Sequence, residues 1–117
     1  MKYLVVDDSK LARLSLVKSL KTNVSEAEVF QAVNGLEALE IMKKERPNII
    51  FLDLTMPEMD GYEALPKLLE IDAKVKVIVV SADIQTKAKE KVIALGAQLH
   101  MQKPINAEKM KEILDII

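Results

Sequence analysis

Ile49-Ile50-Phe51-Leu52 runs apolar without interruption into a single carboxylate, Asp53, and the loop that follows carries Pro57. A run of this length, rich in β-branched and aromatic residues, reads as a strand buried on both faces. Burial on both faces requires covering layers above and below, and the proline-bearing loop cannot extend the strand. In an open parallel sheet, ligands and chemistry collect just outside the carboxyl ends of the strands. Asp53 falls there, and it is the first candidate for a reactive group.

The rest of the chain alternates around this strand. Lys2 to Val6 predicts a strand ending at Asp7-Asp8. A helix follows, capped by Ser9 or Asp8, with Leu11, Leu14, Val17 and Leu20 as its expected buried stripe. Glu28 to Ala32 predicts a second strand, and Asn34-Gly35 turns it into a helix over 36–45, where Asn34 and Glu37 resemble a capping box. After the central strand, Asp60-Gly61 opens a third helix with Leu65, Leu68 and Leu69 inward, which Pro66 should kink or shorten. Val75 to Val80 is an apolar strand ending at Ser81, and Thr86 to Leu95 a helix stopped by Gly96. Gln98 to Gln102 is a fifth strand ending at Lys103-Pro104, and Asn106 caps a last helix with Met110, Ile113, Leu114 and Ile117 inward. Five strands alternating with five helices predict an α/β fold: a doubly wound parallel sheet with right-handed crossovers.

Composition removes several function classes. The 117 residues suit one domain, 1–117, with no linker or repeat. Seventeen basic and eighteen acidic residues give a net charge of −1, so no basic field invites nucleic acid. The aromatics Tyr3, Phe30, Phe51 and Tyr62 are scattered and form no base-stacking platform. With no cysteine there is neither a disulfide framework nor a thiolate metal site, which fits a reducing compartment. No apolar run approaches the ~20 residues of a membrane span, and the first residues read as a strand rather than a signal peptide. A cytoplasmic protein without membrane insertion is expected. The six methionines fall at helical or strand spacing and read as core.

Asp7-Asp8, Asp53, Ser81 and Lys103 all follow strands, so a parallel sheet brings them to one edge. Taken singly, each has a plain structural reading: a helix cap, a turn-former, a loop hydroxyl, a solvated lysine. Together they describe a site. Three crowded carboxylates repel one another unless a cation intervenes, and a hard divalent ion with oxygen ligands suits them. A carboxylate facing such an ion and an ammonium is a poor base, but it can accept a phosphoryl group.

These residues, with Asp53 in the run Asp-Leu-Thr-Met-Pro-Glu-Met-Asp-Gly and the pairs Ser81-Ala82 and Lys103-Pro104, resemble the receiver domain of two-component response regulators. The chain is similar to the stand-alone, chemotaxis-type members, and the likeness spans its whole length. The resemblance implies a flavodoxin-like (βα)5 fold with strand order 2-1-3-4-5. It implies that Asp53 accepts a phosphoryl group from a partner histidine kinase. Mg2+ (or Mn2+) would be held by Asp7, Asp8, Asp53 and the Thr55 backbone carbonyl. Lys103 would contact the phosphoryl group, Ser81 would bind one of its oxygens, and the Lys103–Pro104 peptide would be cis. Thr55 and Asp83 would tune dephosphorylation. The protein is then not an enzyme beyond self-catalysed phosphotransfer and autodephosphorylation.

The family usually has Tyr or Phe three residues before the lysine, as a switch coupled to the hydroxyl residue. Here that position holds His100, the only histidine, which fills the space in part. The resemblance places the downstream protein, in a pathway such as chemotaxis, on the fourth helix, fifth strand and fifth helix. From Ile84 onward six lysines face four acids, a slight basic excess. No output domain is expected after the fifth helix, and a monomer or a weak phosphorylation-dependent dimer is implied. A phosphoryl carrier or sink, or a receiver-like scaffold that never takes phosphate, remains an alternative. A Mg2+-dependent phosphatase of the haloacid dehalogenase type needs a second carboxylate two residues after its nucleophile. Ser9 and Thr55 stand there instead. A dinucleotide-binding module needs a glycine-rich first turn, which Asp7-Asp8-Ser9-Lys10 lacks.

Overall fold

Residues 1–82 and 85–117 are described by the computed structural model, and among them five strands alternate with five helices. The strands are β1 (Lys2–Val6), β2 (Glu28–Ala32), β3 (Ile49–Leu52), β4 (Lys76–Ser81) and β5 (Leu99–Gln102). The helices are α1 (Lys10–Asn23), α2 (Gly35–Glu45), α3 (Gly61–Ile71), α4 (Thr86–Ala94) and α5 (Ala107–Ile116). Every pairing is parallel, and the order is β2-β1-β3-β4-β5, as expected of the flavodoxin-like arrangement.

β3 lies at the centre, between β1 and β4, with all four residues buried. Its side chains alternate between two cores, as a period of two dictates. Ile49 and Phe51 join Leu16 and Leu20 of α1 and Met110 and Ile113 of α5. Ile50 and Leu52 join Ala38 and Met42 of α2, Leu65 and Leu68 of α3 and Val92 of α4. Each fully buried Leu, Ile or Phe contributes about 1.5–3 kcal/mol relative to exposure. No helix among the described residues is long and apolar enough to cross a membrane.

Helix ends follow local chemistry. Ser9, rather than Asp8, caps α1, its side chain accepting from the Ala12 amide at 3.2 Å. Asn34, Asp60 and Asn106 cap α2, α3 and α5 in the same way. Glu37 reaches back from α2, though to the amide of Val33 rather than to that of the cap residue itself. Gly96 follows α4 at φ 110°, a left-handed position where a Cβ would also run into Leu69.

Two expectations about the helices are corrected. Leu11 is 81% exposed and Leu14 46% exposed; the buried positions of α1 are Leu16, Ser19 and Leu20. The leucine-rich helix offered two stripes, and the inward one was disguised by a serine. Ser19 Oγ donates to the Ile105 carbonyl at 2.7 Å, so its hydroxyl is buried at little cost. Pro66 does not shorten α3, which runs on to Ile71. The proline sits inside the second turn, where it removes only one helical hydrogen bond, and the flanking Leu65 and Leu68 stay fully buried.

Candidate functional site

The carboxyl ends of β1, β3 and β4 and the loop after β5 converge on one edge of the sheet. Asp53 follows β3 and is 7% exposed. Its amide donates to the Val6 carbonyl at 2.9 Å, which carries the β1–β3 ladder one residue past the strand. Its Oδ1 accepts from the Leu54 amide at 2.9 Å. The start of α3 presses on this backbone: a Cβ on Gly61 would collide with the Asp53 carbonyl, and the Gly61 amide donates to the Leu54 carbonyl at 3.0 Å. Only glycine fits there.

Asp7 is 5% exposed and fixed on every side. Its amide donates to the Ala32 carbonyl at 3.1 Å, and its Oδ1 accepts from the Ser9 amide at 2.9 Å. Its own carbonyl accepts from Arg13 Nη1 at 2.9 Å, while Arg13 Nε donates to Gln31 Oε1 at 3.1 Å. Asp8 is exposed. Asp7, Asp8 and Asp53 each present a carboxylate oxygen within 4.8 Å of the other two.

One cation stands among them. Lys103 Nζ lies 2.6 Å from Asp7 Oδ2 and 3.3 Å from Asp53 Oδ1. The Lys103–Pro104 peptide is cis, and the Lys103 amide donates to the Ser81 carbonyl at 2.9 Å. Burial raises the Asp53 pKa above the ordinary 3.8, and the charge of Asp7 raises it further. Lys103 and the Leu54 amide pull it back without cancelling the rise. For Lys103, burial favours loss of the proton, but the bond to Asp7 and the charges of both aspartates outweigh it. Its pKa lies above 10.5, and it stays an ammonium.

The other expected residues fall around this group. Ser81 is buried at the end of β4, in register with Gln102. Thr55 is exposed in the loop after Asp53, and that loop turns through Glu58 at φ 67°. His100 lies in β5 opposite Val79. Its neighbours Leu99 and Met101 pack on the α1–α5 side, so alternation directs the imidazole to the α4 side. His100 Nε2 is buried there without a hydrogen-bond partner among the described residues. Asp83, expected to tune dephosphorylation, lies outside the described residues. Arg13 escaped notice in the sequence, because its spacing differs in no telling way from that of Lys10 or Lys18.

Among the described residues the donor set suits a hard cation: three carboxylate oxygens close together, no sulfur ligand, and one neutralising ammonium. These clustered carboxylates fit a hard divalent cation such as Mg2+.

Fold and site together define a receiver: a phosphorylation-dependent switch built on a doubly wound sheet. Residues 3–115 match the response regulator receiver domain family, and the chain belongs to it. It is 37% identical over 115 residues to sporulation initiation phosphotransferase F of Bacillus subtilis, covering 95% of this chain and 88% of that one. It is also 37% identical over 115 residues to the chemotaxis protein CheY of Listeria monocytogenes, covering 98% and 96%. Among solved structures, the CheX-CheY-BeF3-Mg+2 complex from Borrelia burgdorferi superposes with a TM-score of 0.84 at 27% identity. That likeness covers 99% of this chain and 85% of the other.

Proposed function

We propose that Asp53 is the phosphoryl acceptor of this receiver and that a histidine kinase is its donor. The observation that carries this reading is the position of the Asp53 carboxylate, buried at the end of β3, with Lys103 Nζ at 3.3 Å and two further carboxylates within 4.8 Å. A carboxylate oxygen of Asp53 attacks phosphorus, the P–N bond to the donor imidazole breaks, and an acyl phosphate forms. The departing imidazole keeps the electron pair, and the carboxylate needs no deprotonation. Oδ1 is engaged by Leu54 and Lys103, which leaves the other oxygen to attack.

Asp7, Asp8, Asp53 and the Thr55 carbonyl would hold Mg2+ beside the acceptor. When bound, the ion supplies positive charge to the phosphoryl oxygens and cancels repulsion among the carboxylates. Lys103 places its ammonium where a phosphoryl group on Asp53 needs it, and it already bridges Asp7 and Asp53. Ser81 supplies a hydroxyl to one phosphoryl oxygen, and its carbonyl fixes the backbone of Lys103. Thr55 stands beside the path of hydrolytic water, and Asp83 is assigned the same tuning role.

We assign the output to the α4–β5–α5 face, where Ile93 is exposed and an acidic partner would meet the lysines of α4. The Borrelia complex offers a precedent, since its CheY is seen bound to CheX. We read the chain as a cytoplasmic switch with no activity beyond its own phosphorylation and dephosphorylation. Incubation with acetyl phosphate and Mg2+ is expected to add one acid-stable, base-labile phosphoryl group, absent from Asp53→Asn. Equal labelling of the Asn variant would overturn the assignment, and an unlabelled wild type would favour the phosphate-free scaffold.

A further inference from the structure

Asp8 is the least supported member of the acidic group. Asp7 and Asp53 are buried and bonded to backbone amides and to Lys103, whereas the exposed Asp8 carboxylate has no such bond among the described residues. Its position therefore depends on the backbone that projects it. The peptide unit from Asp7 to Asp8 is planar, so fixing the Asp7 carbonyl fixes where the Asp8 amide and Cα lie. Arg13 Nη1 holds that carbonyl at 2.9 Å. The same guanidinium is anchored through Nε to Gln31 Oε1 at 3.1 Å, so it ties α1 both to the residue that follows β1 and to β2. Among the described residues Arg13 makes no ion pair with any of the three aspartates. Its charge is directed at a carbonyl and leaves the carboxylate oxygens to a cation.

We propose that Arg13 is a positioning residue for the cation site: by clamping the Asp7 carbonyl against Gln31 it presents Asp8 to the metal beside Asp7 and Asp53. This rests on the reading of the acidic group as a Mg2+ site. The planar fork of arginine can donate to two acceptors in different directions at once, which a lysine ammonium at the end of a flexible stem does poorly. The sign of the effect separates positioning from simple electrostatics. A positive charge beside a cation site repels the cation, so a pure field effect predicts tighter binding when Arg13 is removed. Positioning predicts weaker binding.

The test is titration of the full chain with Mn2+ alone, following free Mn2+ by electron paramagnetic resonance, with thermal unfolding as a control on the fold. Removing a residue that orients a metal ligand costs about 10-fold to 100-fold in affinity, and Arg13→Ala is expected at the lower end, about 10-fold weaker than wild type. Arg13→Lys, which keeps the charge, should recover only part of the loss. Gln31→Ala, at an exposed position and without change of charge, should weaken binding in the same direction by a smaller factor, and it decides the matter if Arg13→Ala does not fold. Equal or tighter Mn2+ binding by Arg13→Ala, or full recovery by Arg13→Lys, would overturn the proposal while leaving the metal reading intact. A wild type that does not bind Mn2+ would overturn both.

Discussion

Lys103 reaches across 96 positions of sequence to place its ammonium 2.6 Å from Asp7 Oδ2. Asp53 Oδ1 is the farther partner, at 3.3 Å. Two buried carboxylates thus share one cation, and Asp7 rather than the proposed acceptor Asp53 holds its shorter side. This ties the end of β1 to the loop after β5 across the edge where the chemistry falls.

Removing that cation should be felt twice. Lys103→Met leaves Asp7 and Asp53 facing each other with one neutralising group fewer. With chelator present, urea unfolding should show a loss of about 1–3 kcal/mol, the usual cost of stranding a buried polar group. Lys103 is partly exposed, so the upper figures for fully buried ion pairs do not apply. Acetyl phosphate labelling should slow by about 100-fold, as when a donor to a developing anion is deleted. Unchanged stability would mean that solvent already screens the pair.

The pH dependence has a definite sign at each end. Burial and Asp7 raise the Asp53 pKa, so the folded state binds this proton more tightly than the unfolded chain. Stability of the metal-free protein should then fall as pH rises from the ordinary carboxylate range through the raised value, and recover on acidification. Asp53→Asn should remove that slope and be the more stable protein at neutral pH. Saturating Mg2+ should flatten the slope in the wild type. Lys103 acts at the other end: its raised pKa gives stability that is complete below 10.5 and lost above it. Urea midpoints measured with chelator from about pH 4 to about pH 11 would check both limbs.

Much of this was legible in the chain because it depends on local rules. Every strand was anticipated to within a residue, and the central ones most plainly, since the buried strands β1, β3 and β4 are written as apolar runs that end at Asp or Ser. Asp7, Asp8, Asp53 and Lys103 could be gathered on paper because parallel topology puts all strand ends on one edge. What escaped depends on rotation and on long-range pairing. The rotation of α1 was misread because Leu11 and Leu14 look more like core than Ser19, whose partner is the Ile105 carbonyl 86 positions away. Arg13 was missed for a similar reason, because what it binds is a carbonyl and an amide oxygen that no spacing reveals.

Ser19 supports a prediction of its own. Its hydroxyl satisfies the carbonyl of Ile105, the residue after Pro104, and Asn23 Nδ2 donates to the nearby Ala107 carbonyl at 2.9 Å. Together they fasten α1 to the segment that carries Lys103. Ser19→Ala should leave a buried carbonyl without its donor and cost about 1–3 kcal/mol. Ser19→Thr, which keeps the hydroxyl, should cost less unless its extra methyl cannot be packed. Denaturant unfolding of the two variants distinguishes the lost bond from lost volume. An alanine variant as stable as wild type would show that water replaces the hydroxyl.

His100 offers the opposite case, a polar atom whose removal should help. Nε2 is buried on the α4 side of β5 with no hydrogen-bond partner among the described residues, and Val79 is its neighbour in the sheet. An unsatisfied buried nitrogen costs free energy that an apolar ring of similar shape does not. His100→Phe keeps an aromatic ring in place and deletes the orphan, so it should raise stability by about 1 kcal/mol. His100→Ala also deletes the nitrogen but leaves a void, and the lost packing should outweigh the gain, lowering stability by about 2 kcal/mol. Urea midpoints at constant m-value would check both directions. Destabilisation by phenylalanine would mean that the space beside α4 is filled to the size of an imidazole, and that the polar atom costs less than the extra carbon it would take to replace it.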